Sequence, residues 1–296
     1  MRHPLRRIAV QGAWYAAGTS LVKLSGFLLL PVLTNPAYLS VADYGRWGVL
    51  ETTVQIAVVV LGLSLAVGLV RFYHEPGGGA AVVSASWWMS AAMAAALLLV
   101  GWPAAGALAP PAARLLYRWL LLFTAFEILY AIPTAALRAQ ERAGLHTAWQ
   151  ALKLVLLLTF TLWFLVGRGL ALPGYILALA LSSGIATAGA VVAAGRRELL
   201  GRFDRGAAAR VLRFSTPLVL GALGSIVLNA GARYVLVMLR TPEELAHYAL
   251  ASRMGGVVNL VAVQPLNLAW MPLLFRLRED QRPEVLRILV PYLVIG

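Results

Sequence analysis

Apolar residues recur along the chain in runs of roughly 20, the length that crosses a hydrocarbon core of about 30 Å as a helix. Short polar stretches rich in arginine separate them. The pattern predicts eight membrane helices, at residues 10–33, 47–70, 81–101, 116–136, 149–166, 172–194, 217–239 and 246–274. A ninth begins near Ile288 and is still apolar at Gly296. Arg2, Arg6 and Arg7 ahead of the first run look like the start of a signal peptide, but the run is longer than a signal's apolar region and no convincing cleavage site follows. A retained helix is expected. The predicted fold class is all-α, a polytopic helical membrane protein with about eight or nine transmembrane helices.

Composition agrees with the pattern. The chain has 296 residues, 60% of them apolar and only 12% charged, which excludes a soluble enzyme of this length. It has no cysteine, so disulfides, thiol catalysis and iron–sulfur clusters are excluded together. The net charge of +13 points first to loops facing an anionic leaflet, and nucleic acid is not an expected partner.

Arginine counting orients the chain. With the N-terminus inside, the cytoplasmic face collects Arg2, Arg6, Arg7, Arg71, Arg138, Arg142, Arg196, Arg197, Arg202, Arg205, Arg210, Arg213, Arg276, Arg278, Arg282 and Arg287. The other face holds Arg46, Arg114, Arg118, Arg168 and Arg240. Sixteen against five favours a cytoplasmic N-terminus.

The longest polar stretch, 195–213, carries six arginines. It divides the chain into a six-helix N-terminal lobe at 1–195, a basic cytoplasmic linker at 196–213 and an incomplete second lobe at 214–296. A weak internal repeat supports this division. Tyr44 precedes Arg71 by 27 residues and Glu75 by 31, while Tyr248 precedes Arg276 by 28 and Glu279 by 31.

Ionisable groups at bilayer depth are costly, so they face a cavity, a partner or a substrate path. Lys23 shares a stripe with Gly12, Thr19 and Gly26, within about 60° on a helical projection. It either lines a hydrated cavity, or snorkels or pairs with Glu127 or Glu51 while the small residues pack a neighbouring helix. Arg253, Gly256, Gln264 and Asn267 project within about 80° of one another, a polar stripe too deep for snorkelling to explain. Asn229 lies one turn from Arg233, which either snorkels outward or faces the interior. Glu127 is central in its helix, and a pair across helices ranks ahead of a proton-coupling role; Glu51 heads a stripe with Gln55 and Gly62. Arg118 and Lys153 are expected at the interface, and Trp47 and Trp102 in the aromatic belt.

His3, His74, His146 and His247 fall at predicted termini or loops with no paired metal spacing, so neither a metal nor another cofactor is expected. Gly77, Gly78 and Gly79 follow no strand and precede no Lys-Ser/Thr, which makes them a turn and not a phosphate loop. The outward acids are only Asp43, Glu243 and Glu244, too few for glycosyl transfer, and no enzymatic activity is expected.

Several motifs, taken in order, resemble one family. They are Gly26-Phe27-Leu28-Leu29-Leu30-Pro31, Asp43-Tyr44-Gly45, Arg71-Phe72-Tyr73, Ile132-Pro133 and Leu137-Arg138-Ala139. Further on come Leu212-Arg213-Phe214-Ser215-Thr216-Pro217 running to Gly221, then Asn229, Arg233-Tyr234, Tyr248, Arg253 and Trp270-Met271-Pro272. Together they are similar to the Wzx-type polysaccharide flippases of the multidrug/oligosaccharidyl-lipid/polysaccharide exporter superfamily. The resemblance implies two helical lobes around a cavity that opens to each side in turn. It also implies a bacterial inner-membrane location and an undecaprenyl-diphosphate-linked oligosaccharide as cargo, for surface polysaccharide such as the O-antigen of lipopolysaccharide. A polysaccharide polymerase and assembly proteins are implied partners, besides membrane lipids.

Lys23, Arg233, Arg253, Gln264, Asn267 and Asn229 become the expected substrate-binding residues, with Glu127 and Glu51 as candidate coupling carboxylates. The rivals are a cation-coupled multidrug exporter of the same superfamily, a membrane glycosyltransferase or polymerase, and a non-transporting remnant with an assembly role. Two features depart from the family. Ala232 stands where an acidic residue often precedes the arginine, and the chain stops inside its ninth predicted helix, as an N-terminal fragment would.

Overall fold

The computed structural model describes residues 28–258, and all regular structure among them is helical. After a single turn at Leu30–Leu33, the main helices are α1 (Val41–Gly62), α2 (Leu65–Phe72), α3 (Ala80–Leu108), α4 (Arg114–Ala139), α5 (Ala143–Thr161), α6 (Ala171–Ala194), α7 (Arg205–Leu239) and α8 (Pro242–Val258). A 3-10 turn (Pro111–Ala113) leads into α4, a π-helical stretch (Leu162–Gly167) ends α5, and a turn at Arg196–Leu199 follows α6. Among the described residues, five helices are long and apolar enough to cross a membrane, six if the bent pair α1–α2 counts as one span. Residues Tyr248–Gly296 form a separate compact unit, of which the end of α8 is described.

The helices overrun the apolar windows at their ends because caps, not hydropathy, set the boundaries. Ser40 accepts the Asp43 amide at 3.1 Å and starts α1 six residues before the expected Trp47. Asp204 accepts the Ala207 amide at 2.8 Å and starts α7 twelve residues before the expected Pro217. The basic stretch 195–213 is thus largely helical and its second half is the first turns of α7.

The second predicted span is not one helix. Leu63 and Ser64 take left-handed backbone at φ 49° and 51°, ending α1 and turning α2 by 44°. Side chains other than glycine pay for that conformation, and Leu63 recovers part of the cost by packing on the core.

That core sits at the arginine-rich end, where α2, α3, α4, α6 and α7 converge. Leu65, Leu69, Val82, Val83, Ile132, Leu137 and Val211 are fully buried among alanines 85, 135, 136, 139, 194, 207 and 208. Small residues set the helix spacing, because in lipid association rests on close packing and not on hydrophobic expulsion. A β-carbon on Gly68 would run into Ser215 and Val211, which fixes the approach of α2 to α7. A β-carbon on Gly189 of α6 would enter the indole of Trp149 on α5.

Polar groups stitch the same end together. Arg210 donates to the carbonyls of Pro76 and Gly77, so the triglycine segment is a turn held by α7. Trp88 donates to Gly201 O, Ser84 to Arg202 O, and Arg142 to Ala193 O. Gln140 donates to both Ala194 O and the Glu198 carboxylate at 3.0 Å.

The outward faces are strongly apolar. Leu108 is 85% exposed, Leu228 88% and Met238 83%. Faces like these require lipid or another apolar protein surface.

Candidate functional site

Two ion pairs lie at depth in the helices, and each involves one of the carboxylates singled out from the sequence. The first joins α1 to α7. Glu51 stands ten residues into α1, about 15 Å from its start at the usual helical rise. Arg233 stands six residues before the end of the oppositely directed α7, about 9 Å in. The Arg233 Nη1 group donates to Gly48 O at 3.0 Å, Thr52 Oγ1 at 3.0 Å and Glu51 Oε2 at 3.3 Å. Gly48 and Thr52 are one turn apart, and Thr52 itself donates to Gly48 O, so a single helical turn of α1 presents all three acceptors. Next to it, the Thr53 and Tyr234 hydroxyls meet at 2.9 Å.

Arg233 therefore does not snorkel. Only 11% of its side chain is exposed, and α1 supplies the acidic partner that Ala232 cannot. Its Nε is buried and meets no acceptor among the described residues. One donor of the guanidinium is thus still to be satisfied in a setting where an unpaired polar group is costly.

The second pair joins α4, α5 and α6. Glu127 lies thirteen residues into α4, Lys153 ten into α5 and Ser183 twelve into α6, so all three are near mid-helix. Lys153 Nζ is 2.5 Å from Glu127 Oε1, and Ser183 Oγ donates to the same oxygen at 2.6 Å. The ammonium also lies over the Tyr130 ring at 4.4 Å, and the Tyr130 hydroxyl donates to Gln150 Oε1 at 3.0 Å. Glu127 and Tyr130 are three apart on α4, and so are Gln150 and Lys153 on α5, the spacing that puts two side chains on one helix face. The pair across helices that the sequence favoured for Glu127 is present.

Lys153 does not lie at the interface, where its distance to the end of the apolar segment had placed it. The helix starts at Ala143, six residues before the expected Trp149, and that places Lys153 deep. Trp47 is not a belt residue either. It is buried, edge-on to the Tyr175 ring at 5.1 Å. Trp102 lies at the periphery with Arg118 over its ring at 5.1 Å, as a belt position should. His146, expected at a terminus, is buried in the first turns of α5.

Lys23, Gln264 and Asn267 lie outside the described residues, as do the side chains of Asn229 and Arg253. Among the described residues no three His, Asp or Glu side chains gather as metal ligands. Sequence reasoning missed Lys153, Tyr130, Gln150 and Ser183 as one cluster; the matched three-residue spacings on α4 and α5 are the signal that could have found it.

The family model described as polysaccharide biosynthesis protein matches residues 9–278. No curated protein matches the chain. Solved structures do. A MATE structure in complex with Br-NRF shares 16% identity, with a TM-score of 0.60 over 86% of this chain and 66% of its own. A MOP superfamily transporter from Pyrococcus furiosus, described as having a binding pocket of reverse polarity, shares 17%, with a TM-score of 0.56 over 86% of this chain and 64% of its own. An outward-facing multidrug resistance MATE family transporter of the MOP superfamily shares 18%, with a TM-score of 0.55 over 90% and 67%. The chain thus spans about two thirds of the length of the transporters it resembles. At these identities the likeness establishes the fold. The family follows from the sequence match: the chain belongs to the polysaccharide biosynthesis protein family.

Proposed function

We propose that the protein is a flippase that carries an undecaprenyl-diphosphate-linked oligosaccharide from the cytoplasmic to the periplasmic leaflet of a bacterial inner membrane, for cell-surface polysaccharide. The observation that carries this reading is the family match over residues 9–278. The physical requirement is a cation at bilayer depth that can meet a diphosphate while the lipid tail stays in the membrane. Arg233 fits that requirement, with its guanidinium largely buried and its Nε still without an acceptor. Lys23, Arg253, Asn229, Gln264 and Asn267 are the further residues proposed to meet the substrate. A polysaccharide polymerase would receive the product.

The test is deletion of the gene in the native cell, complemented by wild type or by R233A. Loss of surface polysaccharide with accumulation of the lipid-linked precursor on the cytoplasmic leaflet, restored by wild type and not by R233A, is the expected result. Intact polysaccharide together with raised drug sensitivity would replace the flippase by a multidrug exporter. Loss of sugar incorporation in isolated membranes would point to a glycosyltransferase or polymerase instead.

A further inference from the structure

The cluster around Glu127 has the makings of a cation site. One carboxylate oxygen and the face of an aromatic ring converge on a single point near mid-helix, and a serine hydroxyl donates to that same oxygen. Oxygen ligands and a π-face are the groups that hold a small cation or an ammonium away from water. Here the point is occupied by Lys153 Nζ, 2.5 Å from Glu127 Oε1 and 4.4 Å from the centre of the Tyr130 ring.

We infer that Lys153 is a tethered cation: it fills the Glu127 site permanently and so withholds it from sodium ions that would otherwise bind there. Whatever the protein carries, this lobe then couples to no exchangeable cation through Glu127. The pair is also largely neutral to an alternating conformation, since all of its members belong to α4, α5 and α6, which pack on one another.

Among the described residues, the neighbouring helices offer no competing charge. α3 carries no titratable side chain, and the one on α6 is Tyr175, which packs on Trp47. On α1, Glu51 is held by Arg233 and Asp43 by Arg46, and on α2 Arg71 is held by Glu75. On α5, His146 stands seven residues before Lys153, two turns away along the helix. Lys153 is therefore the cation paired with Glu127.

The test uses the full chain purified in detergent, with thermal unfolding followed while NaCl replaces choline chloride at constant ionic strength. Wild type should be indifferent to Na+. K153M strips the site of its built-in cation and leaves the carboxylate, serine and ring. Its Tm should rise by roughly 2–4 °C as Na+ goes from about 1 mM to about 100 mM. E127Q/K153M should show no such response. If K153M does not fold, K153Q removes the same charge while keeping an N–H donor for Glu127, and the same dependence on Na+ is expected of it. A K153M or K153Q protein flat in Na+ would overturn the inference. So would a wild type stabilised by Na+ to the same extent as the variant. Neither result bears on whether the cargo is a lipid-linked sugar.

Discussion

At the residue scale, Arg233 is held by acceptors of two kinds. Gly48 O and Thr52 Oγ1 are neutral and belong to the helix itself, whereas Glu51 is the acceptor that balances its charge. Removing the carboxylate alone, in E51Q, leaves a guanidinium 11% exposed without an anion, the costly half of breaking a deep pair. Removing both charges, in E51Q/R233M, leaves no charge stranded. The double-mutant cycle should therefore give a coupling of roughly 0.5–3 kcal/mol, with E51Q and R233M each less stable than additivity from the double variant predicts. Thermal unfolding of the four proteins measures it; additive effects would mean that the neutral acceptors hold Arg233 by themselves. A second residue-scale expectation concerns Gly189. Trp149 occupies the space a β-carbon would take, and its ring also packs on Tyr130, Ala186 and Ala190. G189A should cost roughly 1–3 kcal/mol by overpacking, and G189A/W149L should recover part of it. Sequence reasoning could find Glu51, Glu127 and Arg233 because a charge in an apolar run is conspicuous. It could not assign their partners, because the pairs span 182 and 26 residues and depend on which helices lie side by side.

At the element scale, hydropathy located the spans and misplaced their ends. An apolar window begins where water would become unfavourable, but a helix begins where its first amides find a cap. Ser40 and Asp204 are those caps, and both precede charged residues that a hydropathy window excludes. The same displacement made Lys153 look interfacial. The break between α1 and α2 was hidden for another reason. Gly62 stands just before the break, but the left-handed residues themselves are Leu63 and Ser64, and the apolar run continues across them. Ser64 holds φ 51° with no side-chain cap bond to compensate, so S64G should relieve a conformation that costs a non-glycine residue roughly 1–2 kcal/mol. Its Tm should rise by a few degrees, less whatever the freer glycine chain costs on folding. A lower Tm would show that the serine side chain makes a contribution the backbone strain conceals.

At the scale of the whole molecule, charge and packing are concentrated at the same end. Among the described residues, Arg71, Arg138, Arg142, Arg196, Arg197, Arg202, Arg205, Arg210 and Arg213 lie toward one end, and Arg46, Arg114, Arg118, Arg168 and Arg240 toward the other. The nine-to-five excess falls where the alanine-rich core and the stitched loops also lie, so the end predicted to face the cytoplasm is the more tightly built one. The absence of cysteine makes the orientation directly measurable, because a single introduced thiol has no background. Arg202 and Arg168 are both exposed. R202C keeps the backbone carbonyl that receives Ser84, and R168C gives up no more than a contact with the Trp163 ring at 5.8 Å. A membrane-impermeant thiol reagent applied to intact cells should label R168C at once and R202C only after permeabilisation. That outcome places the Arg233–Glu51 contact in the outer half of the bundle, where α1 and α7 are joined in this state. Cargo loaded from the cytoplasmic side would then have to part those two helices to leave. The reverse labelling would put the contact on the cytoplasmic side, and with it the end at which cargo must enter, so the direction proposed for transport would have to be abandoned.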